Sequence, residues 1–311
     1  MRSQSSLMTL AERRGTRTGT PHGLVLLRPA RVAYFCSGAL AVVATAVAML
    51  SLTLPSLLSG VEAAKGSLRG TALVMVCVAV PVLVVAMSLT ARGSARGLVV
   101  WLGTAGYLLY QAVLFCFATP LNNLFLLYVA YLGLALWSPV TVLQAADLHA
   151  FGERLASAMP VRWITGFALV LVLLNAGAWL VQIVPAVFSR NPASLLDGTG
   201  LLTNPVFVQD LAVWLPLLAA AAFAGRRRAT WGLLVTGAML VMFVLEGIGV
   251  ATDQWFGSRA DPASGIASSA MVPVFAVVAL VVAVPLACYL RDVDRTPHNA
   301  EGDDRDAPSS R

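Results

Sequence analysis

The chain has 311 residues, of which 58% are hydrophobic and only 12% are charged. A water-soluble domain has about 25% charged and about 45–50% apolar residues, so this composition excludes a soluble globular protein. It is typical of a helical membrane protein, in which each span needs about 20 mostly apolar residues.

Charge-free stretches define the spans, because a charged side chain at the bilayer centre costs at least about 2.5 kcal/mol. The sequence predicts an all-α, polytopic integral membrane protein with eight transmembrane helices within residues 32–290. In chain order, these spans lie at about 32–54, 71–90, 98–118, 121–145, 163–188, 205–224, 230–251 and 271–290. They are uniformly apolar, whereas the strands of a membrane barrel would alternate in polarity.

The basic residues predict the orientation. With the N-terminus inside, seventeen of the 21 Lys and Arg residues lie on the cytoplasmic side. The four on the other side are Lys65, Arg69, Arg190 and Arg259. Because cytoplasmic loops of membrane proteins are enriched in basic residues, we expect both termini in the cytoplasm and a location in the inner membrane. The preference for Arg over Lys, with abundant Ala and Gly, favours a bacterial origin.

Two tails flank the membrane domain. Residues 1–31 form a basic N-terminal tail, and residues 291–311 form an acidic C-terminal tail rich in Gly, Pro and Ser. The C-terminal composition cannot bury a core, so this tail should be disordered. The excess of positive charge is explained by topology and by anionic lipid, and we therefore expect the lipid bilayer, and no nucleic acid, as a partner.

The sequence offers little for metal or cofactor chemistry. The three histidines (His22, His149 and His298) lie in the tails or in one loop, so haem and zinc sites at membrane depth are not expected. The four cysteines are isolated within spans and form no CxxC pair. No phosphate-binding glycine loop is present. We therefore expect neither a cofactor nor a metal.

Two carboxylates are predicted at membrane depth. With a rise of about 1.5 Å per residue, Glu246 lies about 22 Å above Trp231, in the outer third of a core about 30 Å thick. Asp210 lies about 8 Å below the outer end of its span, at a similar level. Without Asp210 the sixth span would be too short to cross, so this residue belongs to the helix.

Further polar side chains reach the same level from other spans. They are Tyr110, Gln111, Tyr128 and Asn175, and Trp214 lies one turn from Asp210. Polar groups are poorly satisfied by lipid, so we expect these side chains to face one another in an outward-opening polar pocket among spans 3 to 7. The alternative is that they are hydrogen-bonding contacts between helices without a ligand.

This polar layer predicts a carrier, or a protein that binds a small ligand, because an acid beside another acid in a low-dielectric site can hold and release a proton. One alternative is a membrane enzyme acting on a lipid-linked or apolar substrate, with Asp210 and Glu246 as acid and base. Another is a non-catalytic subunit that binds a membrane protein or a second copy of itself. The ligand would be an unidentified small molecule or lipid.

An internal repeat is only faintly indicated. Thr119-Pro120 and Thr203-Asn204-Pro205 open two helices in the same way. Spans 1, 2, 7 and 8 show no matching pattern, so the sequence is not interpreted as a repeat.

Overall fold

The computed structural model describes residues 25–27 and 30–294. It confirms the eight predicted spans, since eight of its helices are long and apolar enough to cross a membrane. They are α1 (Arg31–Thr53), α2 (Glu62–Ala91), α3 (Ala95–Phe117), α4 (Phe125–Ala145), α5 (Val161–Val187), α6 (Pro205–Arg226), α7 (Thr230–Ala260) and α8 (Met271–Asp292). Most of the two predicted tails lies outside the described residues.

Two helices extend well beyond the charge-free stretches. α2 begins at Glu62 rather than near residue 71, and α7 continues to Ala260 rather than ending near residue 251. Glu62 and Lys65 form an ion pair one turn apart, so these charges are accommodated on a helical surface. The end of an apolar stretch is therefore not the end of a helix. Because α7 is longer than predicted, it includes Asp253, an acidic residue that lies outside the predicted span.

α3 and α7 form the centre of the bundle, since their most apolar segments are the most buried of the eight spans, with 78% and 67% of residues buried. They approach closely because Gly103 has no side chain; a Cβ there would collide with the carbonyl oxygen of Ala238. α2 packs against the C-terminal half of α7 in the same manner. A Cβ at Gly70 would lie 2.8 Å from the carbonyl oxygen of Thr252, so only glycine fits this contact.

The structure contains an internal repeat in a register that the sequence did not reveal. A five-residue π-helical turn occurs at Met75–Ala79 in α2 and at Asp210–Trp214 in α6, and the two turns lie 135 positions apart. Gln111 and Glu246, which are hydrogen-bonded to each other, are separated by the same 135 positions. Each turn is followed two residues later by a proline, Pro81 or Pro216. The ends of α2 and α6, and the starts of α3 and α7, keep the same offset.

The tight turns after α2 and α6 repeat as well. Gly93 (φ 88°) and Arg228 (φ 57°) are equivalent, and both are left-handed. The next equivalent pair is Gly97 and Gly232, where an added Cβ would meet backbone atoms of the preceding helix in both cases. The α2–α3 and α6–α7 hairpins are therefore two copies of one structural unit.

Around these two hairpins the chain divides by helix order into two four-helix halves, α1–α4 and α5–α8, and helices at the same place in that order are called equivalent. Helices alternate in direction, so α1, α3, α5 and α7 all begin on one side of the bundle, here called the N-terminal face. On this face, backbone bridges join Leu26 to Ala146 and Leu155 to Val293, which fix the ends of α4 and α8.

Candidate functional site

The polar centre is organised by one face of α7. Glu246, Gly249 and Asp253 are spaced by three and four residues, so they lie above one another on the same side of the helix. The helical rise separates Glu246 from Asp253 by about 10 Å along the axis, with Gly249 between them. Both acids are half-buried.

Glu246 meets its own structural equivalent. The Gln111 amide of α3 donates a hydrogen bond of 2.9 Å to the Glu246 carboxylate, and these two residues occupy the same position in the two halves. The contact therefore lies where the two copies face each other. Gln111 is fully buried, and its amide oxygen has no partner among the described residues.

Asp253 is held by the other half of the molecule. The Thr71 hydroxyl of α2 donates a hydrogen bond of 2.9 Å to the Asp253 carboxylate, and the Ser67 hydroxyl donates one of 3.1 Å to its backbone carbonyl. The close approach of α2 and α7 at Gly70 makes these contacts possible. A long helix contact thus fixes an acid near the end of α7.

Tyr107 of α3 lies between the two acids. It is fully buried, and its hydroxyl has no partner among the described residues. This hydroxyl would lie 3.1 Å from a Cβ at Gly249, so it points at the gap between Glu246 and Asp253. Because buried hydroxyls are rarely left unsatisfied, this unpartnered hydroxyl marks the gap as a polar position.

Asp210 opens the π-helical turn of α6 and is buried. The Trp179 indole of α5 donates a hydrogen bond of 2.8 Å to its carboxylate, and the Tyr110 hydroxyl of α3 also interacts with it. Single π turns within α-helices are frequent at functional sites. Because Tyr110 and Gln111 are neighbours on α3, this helix connects Asp210 with Glu246.

The predicted site residues are brought together in part. Asp210, Glu246, Tyr110 and Gln111 lie in one polar centre. Trp214 borders it, since its ring lies 6.3 Å from that of Tyr110, but its indole donates to Gln209 rather than to Asp210.

Tyr128 lies apart from the acids, and the Asn175 side chain forms no hydrogen bond with any of them. Tyr128 packs against Phe115 in the first half, with Ser51 and Asn122 beside its hydroxyl. Asn175 is half-buried on α5, and its side chain makes no hydrogen bond to a described residue.

Three important residues were missed at the sequence level. Asp253 was excluded because the seventh span was ended at residue 251, although its spacing of seven from Glu246 places it on the same helical face. Trp179, the donor to Asp210, and Tyr107 carry no pattern that distinguishes them from ordinary aromatic residues in a span. Only their contacts reveal them.

The acids of this centre have no basic partner among residues 25–27 and 30–294, because none of the ion pairs formed there includes Asp210, Glu246 or Asp253. In the same residues, no three His, Cys, Asp or Glu side chains come together as metal ligands. The centre therefore consists of carboxylates, hydroxyls, an amide and indoles. These groups can donate and accept hydrogen bonds.

No protein-family model matches the sequence, and neither a curated protein nor a solved structure shows significant similarity to it. The functional argument therefore depends on the residues themselves.

Proposed function

We propose that the protein is a proton-linked membrane carrier, with Glu246 as its central protonation site. The observation that supports this proposal is the hydrogen bond between Gln111 and Glu246, at equivalent positions of two like-oriented halves. In many transporters the coupling site lies at the interface between repeats, where a bound ion biases the arrangement of the two halves. A carboxyl group that gains or loses a proton at this contact changes both its charge and its ability to donate to Gln111.

Asp210 and Asp253 extend this proposal on either side of Glu246. Asp253 lies nearer the end of α7, and Tyr107 stands between it and Glu246. Asp210 reaches the same centre through Tyr110 and Gln111 of α3. Asp210 and Glu246 lie at membrane depth without a basic partner among the described residues, which favours a function, since intramembrane carboxylates are costly to keep for structure alone.

The carrier is tested by replacing the central acid. The purified protein is reconstituted in vesicles that contain a trapped pH dye, and proton entry is recorded after an imposed pH gradient with potassium and valinomycin for charge balance. Infrared spectra of the same samples report protonated carboxyl groups as the buffer changes from alkaline to acidic. We expect Glu246→Gln to abolish most of the proton entry and to remove one carboxyl band.

The matched control is Glu62→Gln, which removes a mostly exposed acid at the start of α2. This variant should behave as the wild-type protein does. If a folded Glu246→Gln protein retained both the proton entry and the carboxyl band, the proposal would be wrong. Asp210→Asn should reduce proton entry without unfolding the protein.

The proposal also assigns the N-terminal face to the cytoplasm of a bacterial inner membrane, because the basic loops gather on that face. A cysteine introduced at Glu153, between α4 and α5, should be protected from an impermeant thiol reagent in intact cells. One introduced at Asn191, between α5 and α6, should react.

A further inference from the structure

The two halves differ at one helix contact. In the first half, α1 and α4 are joined by a 2.6 Å hydrogen bond between the Ser37 and Ser138 hydroxyls, and the Trp101 indole donates to Ser37. The equivalent helices of the second half, α5 and α8, are separated by a groove of about 180 Å³. Apolar side chains line it, including Phe167, Leu171 and Leu174 of α5 and Val277, Val278 and Val281 of α8.

The depth of the groove limits what can enter it. Phe167 and Leu174 lie about 9 Å and about 20 Å along α5 from its first residue, so the groove lies within the hydrocarbon core. Its volume is similar to that of the apolar cavity of about 150 Å³ that binds benzene in an engineered protein. An aliphatic chain entering sideways from the bilayer fits both the depth and the lining.

Two polar side chains follow the groove residue Leu171 along the same face of α5. Asn175 lies one turn beyond Leu171 on α5, and its amide makes no hydrogen bond to a described residue. One turn further, Trp179 donates to Asp210. Lipid tails cannot satisfy an amide, so an unpartnered Asn175 at this depth favours a ligand that carries its own polar group.

We propose that the groove between α5 and α8, together with Asn175 and Asp210, binds an amphiphile with one aliphatic chain and a primary amine head. The chain lies against Leu171 and Val281, and the head lies between the Asn175 amide and the Asp210 carboxylate. An amine suits this end because Asp210 has no basic partner among the described residues. This inference rests on the proposed carrier and names its class of substrate.

The test uses a long-chain primary amine that carries a photoactivatable group on its chain. It is added to phosphatidylcholine vesicles containing the full chain, and labelled peptides are mapped by mass spectrometry. Labels should concentrate on the groove helices. Val281→Trp, which fills the groove, should reduce labelling about fivefold, equivalent to about 1 kcal/mol of binding. Asn175→Leu should weaken competition by unlabelled amine to a similar degree.

The matched control is Leu280→Trp, since Leu280 is the neighbouring residue of α8, is 68% exposed and does not line the groove. It should label as the wild-type protein does. Labels spread evenly over all lipid-facing positions would show ordinary boundary lipid and overturn the inference. Cross-links between two chains across α5 and α8 would show that a second copy fills the groove, and would overturn it too.

The failure of this inference is distinguishable from the failure of the carrier. Glu246 does not line the groove, so Glu246→Gln should keep the labelling pattern while it loses proton entry. If Glu246→Gln kept both the groove labelling and the proton entry, the proposed carrier would be wrong, and the groove would stand as an amine-binding site. If Glu246→Gln lost proton entry but labels were spread evenly over all lipid-facing positions, only the proposed binding of an amphiphile would be wrong.

Discussion

The two halves of the molecule share a helical plan but differ in their polar residues. Asp210, Glu246 and Asp253 all belong to the second half, and the equivalent positions of the first half hold Met75, Gln111 and Ala118. The first half instead uses neutral groups in closed hydrogen bonds. Trp101, Ser37 and Ser138 join three of its helices there.

This difference is continued in the packing. Position 236 is the equivalent of Trp101, and the Thr236 hydroxyl at that position is buried without a partner among the described residues. Nothing comparable to the Ser37–Ser138 bond closes the gap between α5 and α8, where the groove lies. The first half thus closes its contact between α1 and α4 with hydrogen bonds, whereas the second half holds the three acids and leaves a groove between α5 and α8.

The largest effect should come from the contact that holds the halves together. Gly103→Val places side-chain atoms against the Ala238 carbonyl and Val241, and we expect a loss of at least about 3 kcal/mol in the free energy of unfolding. Thermal unfolding in detergent measures this loss. Gly133→Ala is the control, because nothing lies within 4 Å of a Cβ there. It should be neutral or stabilising by up to about 1 kcal/mol.

The next test asks whether the equivalent positions are interchangeable. The double variant Gln111→Glu with Glu246→Gln keeps the same pair of side chains across the contact and moves the acid to the first half. We expect it to recover most of the proton entry that Glu246→Gln loses, since both positions face the same space. A double variant as inactive as Glu246→Gln would show that the surroundings in the second half, such as Asp253, define the site.

A smaller effect is expected at the hydrogen bond between Thr71 of the first half and Asp253 of the second half. Thr71→Val removes the hydroxyl that donates to Asp253. Losing the donor leaves a buried acceptor unsatisfied, which costs about 1–3 kcal/mol, so the melting temperature should fall accordingly. Thr45→Val is the control because the Thr45 hydroxyl bonds only to the carbonyl one turn back, in Ala41. Equal losses in both variants would mean that Asp253 gains nothing particular from Thr71.

The helices were predictable because apolar segments of sufficient length are a physical requirement of the bilayer. Their ends were not, since Glu62 and Asp253 are accommodated by helical neighbours that only the fold supplies. The repeat escaped detection because few letters, such as Pro81 with Pro216 and Gly97 with Gly232, survive in both copies. It is conserved in turn geometry and close backbone contacts, which one sequence does not display.

For the candidate site, the sequence predicted only the depth of its residues in the membrane. Counting the helical rise placed Asp210, Glu246, Tyr110 and Gln111 together, because depth follows from position along a helix. The rotation of a helix about its axis does not follow from position, so Tyr128 faces other neighbours and the Asn175 side chain forms no hydrogen bond with the acids. The rotation is fixed by contacts such as that of Gly103 with Ala238.

The smallest expected effect concerns the N-terminal face, where Asp294 of the second half caps α3 of the first. Its carboxylate accepts hydrogen bonds from the Ser94 hydroxyl at 2.9 Å and from the backbone N–H groups of Ala95 and Arg96 at 3.1 Å, and it pairs with Arg154. Partial burial alone would raise the pKa of Asp294, but these donors outweigh burial and lower it below its ordinary value.

A lowered pKa means that the folded state binds the proton less readily than the unfolded chain does. The stabilisation by Asp294 is therefore complete above the ordinary carboxyl pKa of about 4 and disappears as the pH falls through the lower pKa of the folded state. Asparagine tolerates the left-handed backbone of this residue, so Asp294→Asn tests the charge alone. We expect this substitution to lower the free energy of unfolding by about 1 kcal/mol at neutral pH. Melting temperatures of the two proteins should converge as the pH falls below about 4. A difference that persisted unchanged in acid would assign the cap to neutral hydrogen bonding, and the two halves would then be joined on this face without a contribution from charge.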